Sequence, residues 1–433
     1  MLNKIEYIKR IIDEEIKEQL SSIGAVVIRG PKWCGKTTTS KQFSNSMISL
    51  QDPDNYERYK EIAENRVATL LEGDKPRLID EWQEIPKIWN GVRYNIDETG
   101  ENGQFILTGS STPDEEKQKN LHSGVGRFAF IDMRTMSLFE SGDSNGSISL
   151  KEILEGKRDI DGKTTNLTYE KISEVLCRGG WPNIVGKSLN VALKTPKNYI
   201  DTLVSSDISR IDNVSRNPEL MRTILKSYAR NVSTINSDQT IIADVQANYG
   251  DVHANTILSY LNVLEKLYII EEIPAWNPNL RSKTTIRTAP KKTFVEPSLA
   301  TAVLNISPKD LTLDPETFGL LFENLVNRDL QVYVKSIGGY LNHFRDRYGL
   351  ECDNVVHFDN GKYALIEVKL GNKKIKEAEE HLLKIVDLIK IYNKENPKRK
   401  MDFPEFLMVI TGNDMAYTTK EGVLVVPIGC LKN

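Results

Sequence analysis

From Gly24 to Ile131, short apolar runs alternate with polar, helix-compatible stretches. Ala25–Ile28, Leu78–Ile79 and Phe105–Leu107 read as buried parallel strands, and the segments between them as helices, which is an α/β pattern. Ahead of them, Ile5, Ile8, Ile12, Ile16 and Leu20 fall on one stripe and predict an amphipathic helix over Met1–Leu20. Around Glu140–Thr165 the chain becomes rich in Gly, Ser, Asp and Asn, most of all over Ser141–Ser147. That composition predicts an exposed loop and a lobe boundary.

Thr168–Arg230 reads as helical, interrupted by a turn at Arg178–Pro182. Three helices follow, over Leu220–Tyr228, Ile241–Ala247 and Ala254–Lys266, then a strand over Leu267–Ile273 and a return strand over Thr284–Thr288. Three helices and a β-hairpin are the order of a winged helix-turn-helix, with its turn at Asn248–Val252. The last region predicts a long helix over Glu316–Ser336, strands over Tyr340–Arg345, Asn354–Phe358 and Lys362–Lys369, a helix over Ile375–Tyr392, and strands over Phe406–Thr411 and Gly422–Pro427.

With 433 residues, the chain is long enough for two to four domains. Its 39% hydrophobic and 27% charged residues are those of an ordinary globular protein. No run is long and apolar enough to cross a membrane, and the N-terminus lacks the apolar core of a signal peptide. Four scattered cysteines and five histidines give no disulfide framework and no zinc-ligand spacing, which together point to the cytoplasm. A net charge of −3 carries no nucleic-acid signal, and the basic clusters Arg281–Lys292 and Lys384–Lys400 read first as solvated faces.

Gly30-Pro31-Lys32-Trp33-Cys34-Gly35-Lys36-Thr37 fits G-x-x-x-x-G-K-[ST], between an apolar strand and a helix-compatible run from Thr38 to Phe43. The glycines let the backbone curl so that successive N–H groups face phosphate oxygens, and the following helix N-terminus adds a favourable dipole. Lys36 is expected to bridge the β- and γ-phosphates of ATP, and the Thr37 hydroxyl to ligate Mg²⁺. Arg77–Gln83 supplies an acidic pair. Asp80 would hold Mg²⁺ through its water shell and Glu81 would polarise the attacking water. Taken alone, that pair also reads as a surface acidic turn. Phe105–Ser111 ends a strand in hydroxyls. Thr108 is the first candidate to sense the γ-phosphate and Ser110 the second, although Ser and Thr also cap strand ends.

In this order, Gly30–Thr37, Ile79–Gln83 and Leu107–Ser111 resemble an AAA-type ATPase. More narrowly, the chain resembles prokaryotic ATP-binding proteins that pair an AAA module with a C-terminal domain of uncharacterised function. Gly126-Arg127 followed by Ile131–Glu140, Cys177–Pro182 and Asp207–Arg210 recur in that pattern; Trp82 departs from it, where a small aliphatic residue is usual. The resemblance implies that an arginine completes the site, often from a neighbouring subunit. Arg127 is the best-placed candidate, although an ordinary ion pair would explain it equally.

The last region carries a second set of charges. Glu323 lies on the long helix, Asp353 at the start of a strand, and Glu367 and Lys369 on one face of the next, beyond a turn at Asn360-Gly361. Asp353 and Glu367 could hold a divalent ion, and with Lys369 activate water at a scissile phosphate. This order resembles the PD-(D/E)xK nuclease-like superfamily. A structural ion pair in a non-catalytic interaction module is the other reading. In the middle module, His253, Asn255, Thr256, Ser259 and Tyr260 would reach base edges or phosphates, and Arg281, Lys283, Arg287, Lys291 and Lys292 the backbone. Such modules also serve intramolecular packing.

The expected architecture is α/β: a P-loop AAA-type ATPase core at 1–140, a helical lid or linker at 141–215, a winged helix at 216–295 and a restriction-endonuclease-like α/β domain at 296–433. The expected function is a cytoplasmic, Mg²⁺-dependent ATPase whose nucleotide state controls what the C-terminal domain does to DNA or RNA, with a homo-oligomer as the habitual AAA assembly. The competing expectation is a nucleotide-dependent switch or scaffold whose C-terminal domain binds a protein and cleaves nothing.

Overall fold

The structure is a computed structural model that describes residues 7–109, 124–207, 214, 216–276, 288–346 and 348–433. Five strands form the first sheet: β1 (Ala25–Arg29), β2 (Ser46–Ser49), β3 (Arg77–Asp80), β4 (Phe105–Gly109) and β5 (Phe128–Asp132). All pair in parallel, in the order β2-β3-β4-β1-β5. Successive side chains along β1 face opposite layers, as the two-residue period demands. Ala25 and Val27 join Ile79, Leu107, Trp82 and Trp89 on one face. Val26 and Ile28 join Leu78, Ile106, Ile131 and Ile16 on the other.

The first described helix is shorter than expected, Ile12–Ser22. Ile8 is exposed, and Tyr7 to Arg10 run outside the helix. The reason is local. The Asp13 carboxylate receives the Tyr7 hydroxyl at 2.7 Å and the Arg10 N–H at 3.0 Å, which fixes this segment in a turn. Ile5 lies outside the described residues.

The expected exposed loop at Glu140–Thr165 is also corrected. Ile148–Ser149 forms β6, which pairs in parallel with β15 (Leu431–Lys432) near the C-terminus. Ile148, Leu150, Ile153 and Ile160 are buried in the core. Four apolar side chains outweigh the Gly and Ser content once the C-terminal strand offers a partner.

Helices Pro218–Arg230, Asp238–Tyr249 and Ala254–Lys266 precede an antiparallel ribbon of β7 (Ile270–Ile273) and β8 (Lys291–Phe294). The return strand is therefore Lys291–Phe294. Most of the expected Thr284–Thr288 lies outside the described residues. The second sheet contains β9 (Gly339–Arg345), β10 (Glu351–Phe358), β11 (Tyr363–Lys369), β12 (Leu407–Thr411), β13 (Tyr417–Thr418) and β14 (Leu424–Pro427). Their order is β13-β14-β12-β11-β10-β9: an antiparallel meander β9-β10-β11, with β12 and β14 added in parallel.

One face of this sheet packs on the helix Pro315–Lys335, the other on Ile375–Glu395. The core of the first face is continuous from Leu138 to Leu431 and takes in the three middle helices. The middle helices and the C-terminal sheet thus share one interior.

Candidate nucleotide site and a second charged cluster

The phosphate loop follows β1 at the end of the sheet where β3 and β4 also end. Gly30 and Gly35 have φ of +147° and +105°, values an L side chain rarely adopts. At Gly30 a Cβ would lie 2.0 Å from the Met133 carbonyl oxygen, so the loop starts hard against the end of β5. The Lys36 ammonium donates to the Gly30 and Pro31 carbonyls at 2.8 and 2.9 Å, with the loop curled around it. The following helix, Lys36–Ser40, has only five residues. Its dipole is correspondingly short, and the loop's N–H groups and the Lys36 charge dominate.

Asp80 is the hub. Its Oδ1 accepts from Thr37 Oγ1 at 2.7 Å and from Thr108 Oγ1 at 2.5 Å. Three segments far apart in sequence thus meet at one carboxylate beside the loop. One carboxylate and one hydroxyl, both hard oxygen donors, fit Mg²⁺, which takes few protein ligands and completes its shell with phosphate and water. Glu81 sits in the left-handed region with φ +56° and ψ +50°, and its carboxylate accepts from Gln83 Nε2. Holding a non-glycine residue there costs about 1–3 kcal/mol, and such strain clusters at functional sites. Trp82 is buried and tilts onto Trp89 at 5.0 Å, so the residue that departs from the family pattern serves the core.

Elsewhere in the loop, Cys34 is buried, Thr38 is exposed and Lys32 is half-buried. Trp33 is half-exposed, with φ +64°, and meets Tyr199 edge-on at 5.3 Å. Ser110 and most of Asp207–Arg210 lie outside the described residues.

Arg127 is not brought to this site. It precedes β5, and its carbonyl accepts the Ala25 N–H, so it sits at the opposite end of the sheet. With about 3.3 Å of rise per residue, the six steps that separate the level of Arg127 from that of Gly30 put it roughly 20 Å from its own chain's loop. Its guanidinium pairs with Asp97 at 2.7 Å. The arginines near the loop are others. Arg134, just past β5, forms a two-pronged pair with Glu271 on β7. Arg10 donates to the Cys34 carbonyl at 2.9 Å. Neither carries a sequence signal: Arg10 reaches the loop through a backbone carbonyl, and Arg134 stands beside it paired with a module distant in sequence.

At the second cluster the four expected residues converge, together with Lys291, a residue of the expected basic hairpin. Lys369 Nζ lies 2.7 Å from Glu367 Oε2 and 3.1 Å from Asp353 Oδ2, which also accepts the Val368 N–H at 2.8 Å. Lys291, on β8, donates to Glu323 Oε1 at 2.5 Å and to the Asp353 carbonyl at 2.6 Å. Burial pushes the Glu323 carboxyl up to about 7 despite Lys291. Burial and the Asp353 charge push Glu367 well above the usual carboxylate range. Burial also opposes charge on Asp353, yet Lys369, Lys291 and the Val368 N–H hold it below its ordinary value.

The expected metal role of Asp353 and Glu367 meets a specific obstacle: ammonium groups already stand against both. Among the described residues no group of three or more His, Cys, Asp or Glu side chains is arranged to hold a metal ion. Nor are Lys291 and Lys292 free to touch a nucleic-acid backbone. Both are buried, and Lys292 pairs with Asp238 and Glu272. Tyr260 is buried with its hydroxyl accepting the Asn217 N–H at 2.8 Å, and the Ser259 hydroxyl accepts from Arg216 at 3.3 Å. His253, Asn255 and Thr256 are exposed. Arg281, Lys283 and Arg287 lie outside the described residues.

Comparison with known proteins agrees with the first sheet. Residues 22–141 match a family described as an AAA domain. Residues 169–310 and 318–431 match two domains of unknown function, DUF8612 and DUF4143. The N-terminal segment is therefore AAA-like and carries a phosphate loop of the P-loop pattern.

Among solved structures, the chain is similar to the Walker-type ATPase PABY2304 of Pyrococcus abyssi, with 13% identity, 70% of this chain and 97% of that one covered, and a TM-score of 0.44. It is also similar to a single-substitution variant of Thermotoga maritima RuvB, with 18% identity, 61% and 87% covered, and a TM-score of 0.26. A third is the Aeropyrum pernix ORC1 protein in complex with DNA, with 12% identity, 73% and 95% covered, and a TM-score of 0.22. At these scores the likenesses add nothing to the strand order already described. No curated protein matches the chain. Among the described residues, no helix is long and apolar enough to cross a membrane.

Proposed function

We propose that this chain is a Mg²⁺-dependent ATPase whose nucleotide state is conveyed to its C-terminal domain. The observation that carries the reading is Asp80 Oδ1 accepting both the Thr37 and Thr108 hydroxyls beside a lysine-bearing phosphate loop. Lys36 would hold the β- and γ-phosphates. Thr37 and Asp80 would hold Mg²⁺, which offsets phosphate charge when bound. Glu81 would orient and deprotonate the attacking water, and Thr108 would report on the γ-phosphate. Conveyance is supported by the ribbon β7–β8, which meets Arg134 beside the loop at Glu271 and the C-terminal cluster at Lys291.

For the C-terminal domain, the order helix, three antiparallel strands, helix, parallel strand and the meeting of Glu323, Asp353, Glu367 and Lys369 support a nuclease-like reading. The buried lysines against those carboxylates favour the second reading, an interaction module that is switched and cleaves nothing.

Binding and hydrolysis assays test the ATPase claim. Lys36→Ala is expected to weaken ATP binding by more than about 100-fold, and Glu81→Gln to keep binding while slowing hydrolysis by about 100-fold or more. Unchanged ATP affinity in Lys36→Ala would end the assignment. Incubation of Asp353→Ala, Glu367→Ala and wild type with DNA and RNA, Mn²⁺ and ATP separates the two C-terminal readings. Cleavage lost in the variants supports the nuclease, and no cleavage by wild type supports the switch.

A further inference from the structure

We infer that Arg10 is the positioning residue of the phosphate loop, fixing the Cys34–Gly35 peptide so that the Gly35 N–H faces the nucleotide phosphates. The inference rests on the ATP reading above. A trans peptide directs its carbonyl and its N–H to opposite sides of one plane. Arg10 Nη1 donates to the Cys34 carbonyl at 2.9 Å. That bond turns the Gly35 N–H to the side away from Arg10. Gly35, at φ +105°, has no Cβ to restrict the peptide, so something else must set its orientation.

The guanidinium is itself immobilised. Nε donates to Glu140 Oε1 at 2.9 Å and Nη2 to the Arg134 carbonyl at 2.8 Å. Glu140 also receives the Ile11 N–H at 2.9 Å, the Ser137 N–H at 2.8 Å and the Ser137 hydroxyl at 3.0 Å. Rotation of the planar fork would break several of these bonds together. The pair is almost fully buried, with side-chain exposures of 4% and 2%. Burial opposes both charges, but the pairing holds the Arg10 guanidinium above its ordinary value and the Glu140 carboxyl below its own.

A second brace lies beside the first. The Tyr7 hydroxyl stands 2.7 Å from Asp13 Oδ1 and 3.2 Å from Thr39 Oγ1, in the helix that follows the loop. Residues 7–13 therefore strap the back of the loop at Cys34 and at Thr39.

The test uses the full chain with Arg10→Lys and, separately, Glu140→Gln. Lysine keeps the charge but loses the three-way planar fork. Thermal melts establish the folded fraction. Titration with ATP and with ADP, both with Mg²⁺, gives Kd, and steady-state hydrolysis separates KM from kcat. Arg10→Lys is expected to raise Kd for ATP and ADP alike by about tenfold, the scale of one lost charge-assisted hydrogen bond. KM rises with Kd, and kcat at saturating ATP stays within about twofold. Glu140→Gln loosens the guanidinium while keeping its bond to Cys34, and is expected to raise both Kd values by about threefold.

A residue that only holds the fold would lower the melting temperature and the binding-competent fraction, with Kd of that fraction unchanged; that result overturns the inference. If Arg10→Lys does not fold, unchanged affinity in Glu140→Gln overturns it instead. A wild type that binds neither nucleotide overturns the ATP reading itself and the inference with it. Tight wild-type binding with unaltered variants overturns the positioning role alone.

Discussion

The two charged clusters answer one problem, a carboxylate away from bulk water, in opposite ways. Asp80 is held by hydroxyls, neutral groups that release a carboxylate readily when a cation arrives. Asp353, Glu323 and Glu367 are held by ammonium groups, which already supply the compensating charge. On the proposed reading the N-terminal cluster accepts a cation, whereas the C-terminal one carries its cations within the fold. A matching motif in sequence does not distinguish these cases. The identity of the facing group does, and in the C-terminal cluster Lys291 comes from a different module.

The largest expected effect that would break this comparison is at Lys291. Lys291→Met leaves a buried carboxylate without its partner, which typically costs about 3–5 kcal/mol. Denaturant titration is expected to show that loss at pH 8 and a smaller one at pH 6. At the lower pH the Glu323 carboxyl, whose burial already raises it to about 7, takes up a proton. Adding Glu323→Gln to Lys291→Met should recover most of the loss. If Lys291→Met is as stable as wild type at pH 8, the internal-cation description fails.

A smaller effect is expected from His343, a fully buried residue on β9 whose ring lies 3.2 Å from the Ala289 carbonyl oxygen. Burial, with Lys291 nearby, lowers its pKa to about 4 from an ordinary 6.5. For a base with a depressed pKa, the unfolded chain takes the proton first. Stability is therefore full above about pH 6.5 and falls as pH drops toward about 4, at up to about 1.4 kcal/mol per unit. His343→Gln should flatten the pH dependence of the urea midpoint between pH 6.5 and 4. An unchanged slope would show that this histidine is protonated in the fold.

What the sequence made legible follows from which interactions are local. The strands β1, β3 and β4 are apolar runs buried on both faces, and the phosphate loop is contiguous, so both could be read directly. β2 carries no such signal, because it is a sheet-edge strand of Ser46-Met-Ile-Ser49 in which Ile48 alone is buried. The loop expected at Glu140–Thr165 depended on local composition, and the partner that orders it lies at Leu431–Lys432. Arg127 matched a pattern of spacing, but only the parallel pairing of β1 and β5 shows which end of the sheet it occupies. Lys291 reads in sequence as a basic hairpin residue, whereas β7–β8 and the helix Pro315–Lys335 enclose it against Glu323. In each case the missing information was a contact between segments distant in sequence.

The smallest effect separates the roles of the two hydroxyls on Asp80. Thr108 is fully buried and Thr37 is not, so Thr108 is the one whose bond to Asp80 is shielded from solvent. Thr108→Val keeps the shape of the side chain and deletes its oxygen, while the Thr37 hydroxyl still serves Asp80. If Thr108 reports on the γ-phosphate, affinity for ATP falls by about tenfold, the low end for one hydrogen bond to a charged group, and affinity for ADP does not change. Competition of ATP against ADP on the variant measures that ratio directly. Equal losses for the two nucleotides would mean that Thr108 only orients Asp80. The N-terminal carboxylate would then depend on fixed internal partners as the C-terminal ones do, differing only in that those partners carry no charge.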